Sequence, residues 1–271
     1  MRPSIDQYME RIGYEGSREP TLETLRAIHR HQALSIPYEN LDVYLETPVD
    51  RDMGRIFTKI VERGRGGWCY EVNGLFGWAL EEMGYGPVRH CGAVMRDLSP
   101  VDNIGGHLVH TVELGGPWLV DVGLGIGILE PVRLTEGGIT QGQRSFRLEH
   151  LADGFWRFHN SEGILPPSFD FRFEPADDAR LDFQCDRLQR DPMSLFRQNL
   201  ICQVVTETGF KSLVGRTLTD TDAGIKDHLI ASEDELHTVI EETFGINPPN
   251  LDGLWSKVVA RHAELVGGGE S

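Results

Sequence analysis

Basic residues are scarce in this chain. Only 26 Lys and Arg stand against 42 Asp and Glu, a formal net charge of −16, and a surface of that sign argues against nucleic acid or an anionic membrane as the main partner. Cysteine is sparse too: Cys69, Cys91, Cys185 and Cys202 lie far apart with no Cys-x-x-Cys pair. That spacing suggests neither a zinc ribbon nor a disulfide scaffold and implies a reducing, cytoplasmic compartment. No run approaches the roughly 18 apolar residues of a membrane span, and the first eight residues are polar and charged where a signal peptide would be apolar. There is no internal repeat, low-complexity block, Walker A lysine, His-Glu-x-x-His pair or EF-hand loop, so triphosphatase and zinc-hydrolase chemistry is disfavoured. His90 and Cys91 alone lack the third and fourth ligands of a metal site, and no metal is expected. Gly123-Leu-Gly-Ile-Gly127 follows a strand-like run, but Pro131 precludes the helix that a dinucleotide loop must open.

What the chain does hold is a glycine-rich turn leading into a helix. Residues 64–74 read Gly-Arg-Gly-Gly-Trp-Cys-Tyr-Glu-Val-Asn-Gly, followed by apolar Val72, Leu75, Phe76, Ala79, Leu80 and Met83 at helical spacing, with Gly84 placed to end the helix. Cys69 falls in the first turn, where unpaired N–H groups and the helix dipole favour thiolate over thiol. Those N–H groups also suit the oxyanion of an attacked carbonyl. A buried structural cysteine is the other reading.

A nucleophilic thiol requires a base and a group to orient it. Residues 107–114, His-Leu-Val-His-Thr-Val-Glu-Leu, alternate like a strand, Gly115-Gly116-Pro117 signals a turn, and residues 118–122 form a second short strand. Asp121 lies among apolar residues, where a carboxylate demands a partner: a histidine, or the backbone N–H groups of the 123–125 turn. His107 and His110 have opposite parity and point to opposite faces. A two-residue loop sets Asp121 on the face of His110, whereas a three-residue loop or one bulge sets it on the face of His107.

The organisation is tripartite. Residues 1–84 read as helical, with a stripe of Ile5, Tyr8, Met9 and Ile12 ending at Gly13 and a second helix capped by Thr21. From about 85 to 190 short alternating runs predict a small antiparallel barrel or sandwich. From 191 onward, strand-like segments at 201–206 and 212–219 precede a helix with a Ser232–Glu235 capping box and a last helix marked by Leu251, Leu254, Trp255, Val258 and Val259. The tail 267–271 reads as disordered.

The sequence resembles the arylamine N-acetyltransferases. The resemblance rests on Arg-Gly-Gly-Trp-Cys-Tyr-Glu-Val-Asn-Gly-Leu-Phe at 65–76, Ile-Pro-Tyr-Glu-Asn-Leu at 36–41, His-Leu-Val at 107–109 and Leu-Val-Asp-Val-Gly-Leu-Gly at 119–125. It implies an α+β fold with an N-terminal helical bundle (1–84), a central antiparallel β-barrel (85–190) and a C-terminal α/β lid (191–271), in the papain-like or transglutaminase-like arrangement. It implies the triad Cys69, His107 and Asp121, selecting His107 over His110. It implies Tyr38 and Leu124 as substrate-pocket residues, both departures from the family's usual Phe, and Gly123 and Gly125 as contacts of the co-substrate acetyl-CoA. The expected reaction is ping-pong acetyl transfer to an arylamine or hydrazine, by a monomer or homodimer. The rivals are a macrolactam-forming amide synthase, a papain-like cysteine hydrolase and, third, a non-catalytic binding protein. The acidic charge is a puzzle for a polyanionic donor, whose phosphates would need local N–H groups or arginines.

Overall fold

The computed structural model describes residues 2–99, 102–222, 224–248 and 250–267. Of the tail expected to be disordered at 267–271, Gly267 is instead the last residue of a helix, and 268–271 lie outside the described residues. The N-terminal third carries helices α1 (Ile5–Ile12) and α2 (Leu22–Ser35), strand β1 (Tyr38–Glu39), and helices α3 (Leu41–Tyr44), α4 (Met53–Phe57) and α5 (Cys69–Glu82), with a π-helical turn at Thr58–Glu62 continuing α4. Local chemistry sets these ends. Gly13 closes α1 in the left-handed conformation at φ 65°, and the Thr21 hydroxyl accepts the Thr24 N–H at 3.2 Å to open α2. Their apolar stripes meet on α5, where Tyr8, Ile12, Leu25 and Ile28 pack with Leu75, Phe76 and Ala79.

Strands β2 (Val88–Val94), β3 (His107–Glu113), β4 (Pro117–Val120), β5 (Val132–Arg133), β6 (Gly137–Gln141), β7 (Arg144–His150), β8 (Phe155–His159) and β9 (Ser168–Arg172) form one antiparallel sheet in the order β5-β4-β3-β2-β9-β8-β7-β6. The sheet curls around a single core in which Val109, Leu119 and Val132 from one end touch Phe146, Phe158 and Phe169 from the other. The loop after β4 closes onto β6, where the Gln141 side chain accepts the N–H groups of Leu129 and Glu130. The opposite face of β3 and β4 offers Val112 and Val120 to the helical core. This nearly closed barrel packed against helices is the expected α+β class.

Two element readings change. Residues 178–190 form helix α6 (Asp178–Arg190) rather than more strand, its N-terminus capped by the Asp177 carboxylate. Leu181 and Cys185 are its buried apolar residues, too few to reveal its period in sequence. After α7 (Leu195–Gln198) come β10 (Ile201–Val205), β11 (Phe210–Val214), β12 (Thr217–Asp220) and β13 (Lys226–Leu229). The single strand expected at 212–219 is thus two, because the chain reverses at Gly215, φ 57°, and alternation runs through so short a turn unbroken. The sheet order is β1-β10-β11-β12-β13, so the N-terminal β1 is the edge strand of the C-terminal sheet. Helices α8 (Glu233–Thr238), prolonged by a π-helical turn, and α9 (Leu254–Gly267) cover it. Ser232 caps α8 by accepting the Glu235 N–H, while the Glu235 carboxylate reaches back to Ala231 N–H.

A charge network ties β1 to the glycine turn. Glu39 has no exposed surface; its carboxylate meets Arg65 Nη2 at 2.7 Å and the Leu41 N–H at 2.7 Å. Lys59 Nζ lies 2.8 Å from both Asp42 and Glu71, and Arg65 Nη1 2.9 Å from Asp42. Burial works against the charges of Asp42, Lys59, Arg65 and Glu71. Even so, Asp42 stays below its ordinary value because Lys59 and Arg65 flank it. Removing one partner leaves the rest uncompensated. Arg65→Ala is expected to lower the unfolding free energy by about 3–5 kcal/mol in urea titration; a loss under about 1 kcal/mol, the level of an exposed pair, would show the network is not stabilising.

Candidate active site

Cys69 is the first residue of α5. No serine or threonine caps this helix; instead the Glu71 carboxylate accepts the Trp68 N–H at 3.2 Å. Gly67 makes this possible, since a Cβ there would sit 2.8 Å from the Glu71 Cβ. The sulfur is held at the positive end of the helix, in a cluster with Trp68, Tyr70, Leu108, Leu181 and Cys185, and approaches the Gly106 carbonyl oxygen at 3.9 Å.

Register decides which histidine joins it. β3 and β4 pair with His110 opposite Val120 and Glu113 opposite Pro117, leaving a three-residue loop, 114–116. Continued past Val120, that register sets Asp121 opposite Val109, on the side of His107. His107 Nε2 donates to Asp121 Oδ2 at 2.8 Å, with both side chains buried. The other carboxylate oxygen, Oδ1, accepts Asn73 Nδ2 at 2.8 Å and the Gly123 N–H at 2.8 Å. Both readings of Asp121 therefore hold, one on each oxygen. With Nε2 engaged, Nδ1 is the ring nitrogen left for Cys69, which acts on His107 to strengthen its hold on the proton.

Burial alone lowers the His107 pKa; the Asp121 charge and hydrogen bond, with Cys69, outweigh it and lift it to about 10. Burial likewise raises Asp121, yet His107, Asn73 and Gly123 hold it below the usual carboxylate range. The geometry therefore favours an imidazolium facing the sulfur. His110 sits on the opposite face of β3, over Gly77, whose Cβ would come within 2.9 Å of its Cε1. Burial, with His90 and Arg89 nearby, drops its pKa to about 3. It stays neutral and outside the cluster.

Tyr38, Leu124 and Gly125 line a narrow cavity of about 10 Å³ together with Asp121, Ile128 and Gln203. Gly125, at φ 83°, lies under the Gln203 amide, where a Cβ would meet Gln203 Cδ at 3.2 Å. Gly123 is needed for close approach, since a Cβ would lie 3.1 Å from the Cys69 Cα. His90 has both nitrogens engaged, by the Glu174 carbonyl and the Thr111 hydroxyl. Among the described residues no group of three or more His, Cys, Asp or Glu is placed to hold a metal.

Comparison with known proteins places the chain in a family. An N-acetyltransferase family model matches residues 21–251. The arylamine N-acetyltransferase of Mycolicibacterium smegmatis is 34% identical, the alignment covering 98% of this chain and 99% of that protein. The chain belongs to the arylamine N-acetyltransferase family. The solved arylamine N-acetyltransferase of M. tuberculosis is 29% identical over 94% of this chain and 99% of that one, TM-score 0.85. That of Mycobacterium marinum, solved in complex with CoA, is 27% identical over 95% and 98%, TM-score 0.82. The resemblance read from the four motifs is thus borne out, and this member of the family is an acyltransferase.

In this arylamine N-acetyltransferase family member, sequence reasoning passed over Asn73, His29 and Gln203. Asn73 had a signal: it is a polar residue one helical turn after Cys69 on an apolar face, and besides Asp121 it binds the Leu108 carbonyl at 2.6 Å and the Val122 N–H at 2.9 Å. His29 had none. It lies on α2, its Nε2 accepting the Asp121 N–H at 3.3 Å and its Nδ1 donating to the Leu129 carbonyl at 2.9 Å. Burial lowers its pKa to about 4, which keeps that tautomer neutral.

Two measurements follow. His107→Ala should abolish iodoacetamide alkylation of Cys69 at neutral pH while His110→Ala leaves it intact; the reverse result would exchange their roles. Because the folded pKa of His107 is raised above its unfolded value near 6.5, its stabilisation is complete below pH 6.5 and lost as pH rises through about 10. The unfolding free-energy difference between the native chain and His107→Gln should therefore shrink across that window, and a constant difference would disprove the shift.

Proposed function

We propose that this acyltransferase moves an acetyl group from acetyl-CoA to the nitrogen of arylamines, arylhydrazines or N-hydroxyarylamines through an acetyl-enzyme on Cys69. The observation that carries the reading is the buried 2.8 Å contact between His107 and Asp121 beside a cysteine that opens a helix. The M. marinum relative, solved with CoA, supports the donor.

His107 holds the Cys69 proton, and Asp121 fixes the ring and balances its charge. The thiolate attacks the thioester carbonyl, and the oxyanion faces the N–H groups of Cys69 and Tyr70, which have no partner four residues earlier within α5. The C–S bond to CoA breaks and His107 protonates the departing thiolate. An amine then attacks the acetyl carbon, His107 takes its proton, and Cys69 leaves as thiolate with the amide formed. Gly123 and Gly125 supply backbone against which the thioester lies, while Tyr38 and Leu124 form the acceptor wall.

The acceptor cavity has room for about one water. Arylamine entry therefore requires Gln203 and the C-terminal sheet to yield, which fits residues 191–271 acting as a lid over a helical unit (1–84) and a barrel unit (85–190). Burial of Cys69, a residue only 3% exposed, favours amine over water as final acceptor and so weighs against a hydrolase. Among the described residues no helix is long and apolar enough to cross a membrane, and four free thiols fit a cytoplasmic setting.

Incubation with acetyl-CoA alone should yield one acetyl adduct by intact mass, absent in Cys69→Ala. An aromatic amine should discharge it much faster than buffer does. Absence of the adduct removes the donor assignment, and equal discharge rates would mark a hydrolase. In Asp121→Asn the acetylation rate should fall by about 10³–10⁴.

A further inference from the structure

Strand β1 sets Tyr38 directly opposite Gln203 of β10, and residues paired in this way share one face of a sheet. Both line the cavity beside the triad, and each is only 9% exposed. Among the described residues the Tyr38 hydroxyl has no hydrogen-bond partner, and Gln203 spends only its Nε2, which donates to the Ser212 hydroxyl at 3.1 Å. Neither free oxygen is sealed in: among the described residues, the buried side-chain atoms lacking both a partner and accessible surface belong to Trp68, His110, Arg197 and His237. The cavity wall therefore carries one hydroxyl and one amide oxygen whose hydrogen bonds are unmade.

Burial, and then the charges of Cys69 and Glu71, hold the Tyr38 hydroxyl protonated well beyond the ordinary phenol range, so it is able to donate. The other polar side chain of the lining is Asp121, and it is satisfied: His107 occupies one oxygen, Asn73 and the Gly123 N–H the other. The rest of the lining is aliphatic or glycine. A ligand carboxylate would meet Asp121 there and no cation, so the wall suits a neutral polar group. The 123–125 turn sets the scale. A Cβ on Gly123 would lie 3.1 Å from the Cys69 Cα, whereas one on Gly125 would lie 3.2 Å from Gln203 Cδ and 3.8 Å from Tyr38 Cγ. Two residues of chain span at most about 7 Å, so the nucleophile and the polar pair are separated on the scale of one benzene ring.

We infer, with acetyl transfer through Cys69 as the reading on which this rests, that Tyr38 and Gln203 set acceptor specificity: they select a single-ring arylamine whose para position carries one neutral group able both to accept and to donate a hydrogen bond, such as a hydroxyl. The amine faces the sulfur, the para oxygen accepts the Tyr38 proton, and the para O–H donates to Gln203 Oε1. A methyl group in its place leaves both protein oxygens unpaired in a closed cavity. A site that buries polar groups rejects analogues lacking their partners.

The test compares 4-aminophenol with 4-methylaniline, whose methyl group resembles the hydroxyl in size and makes no hydrogen bond. Each amine discharges preformed acetyl-Cys69, followed by intact mass, and the ratio of the two second-order rates is read within one protein, so that any general loss in a variant cancels. The native chain should favour 4-aminophenol by at least about tenfold, and that ratio should fall by at least about threefold in Tyr38→Phe and in Gln203→Leu. A native ratio near one, or an unchanged ratio in both folded variants, overturns the pair while acetyl transfer stands. If Gln203→Leu fails to fold, Tyr38→Phe, which removes a single oxygen, decides alone. If no acetyl-enzyme forms, the transfer reading fails, and ligand-observed NMR of the two amines on Cys69→Ala judges the pair: tenfold tighter 4-aminophenol supports it, and equal affinities overturn it.

Discussion

A carboxylate buried among strands is the constraint on which the site depends. Asp121 remains charged only because three donors converge on it: the His107 ring on one oxygen, Asn73 and the Gly123 N–H on the other. These donors come from β3, α5 and the turn after β4. The compensation of one charge therefore aligns the barrel, the nucleophile helix and the cleft-wall turn. His29 extends the arrangement to α2 through the Asp121 N–H. The same requirement works in reverse on the imidazole, because an ionised Asp121 raises the affinity of His107 for a proton and brings a positive charge to the sulfur.

The second layer is electrostatic and more remote. Glu39, Asp42, Lys59, Arg65 and Glu71 form a compact buried cluster that joins β1 and the 64–68 turn to the first turn of α5. Glu71 belongs to both layers, since it meets Lys59 and also accepts the Trp68 N–H just before Cys69. The position of the sulfur is thereby tied to ion pairs outside the Cys69, His107 and Asp121 cluster. Through β1, which pairs Tyr38 with Gln203 of β10, the same cluster reaches the C-terminal sheet.

Much of this was legible in the residues. The apolar spacing of α5, the turn at Gly115-Gly116 and the strands on either side are local signals, and each appears where expected. The three-residue loop was one of two possibilities in sequence, and only the observed pairing of His110 with Val120 removes the other. Helix α6 was hidden because its exposed face carries Phe183 while Gln184 is buried, which blurs the period. Asn73 could be suspected as a polar residue on an apolar face. His29 and Gln203 could not, since His29 meets Asp121 across 92 residues and Gln203 reaches Tyr38 only through the pairing of β10 with the distant β1.

By itself the sequence determined the candidate nucleophile, the helix that presents it, the order of thiol, imidazole and carboxylate, and the family to which the chain belongs. All of these reside in short contiguous motifs, where side-chain type and backbone period act over a few residues. Tertiary structure alone decided which histidine faces the acid, that the carboxylate is shared among three elements, and that the C-terminal sheet borrows its edge strand from the N-terminal third. These depend on strand register and on distances between segments far apart in the chain, and a shift of one residue in register would have turned each side chain to the other face.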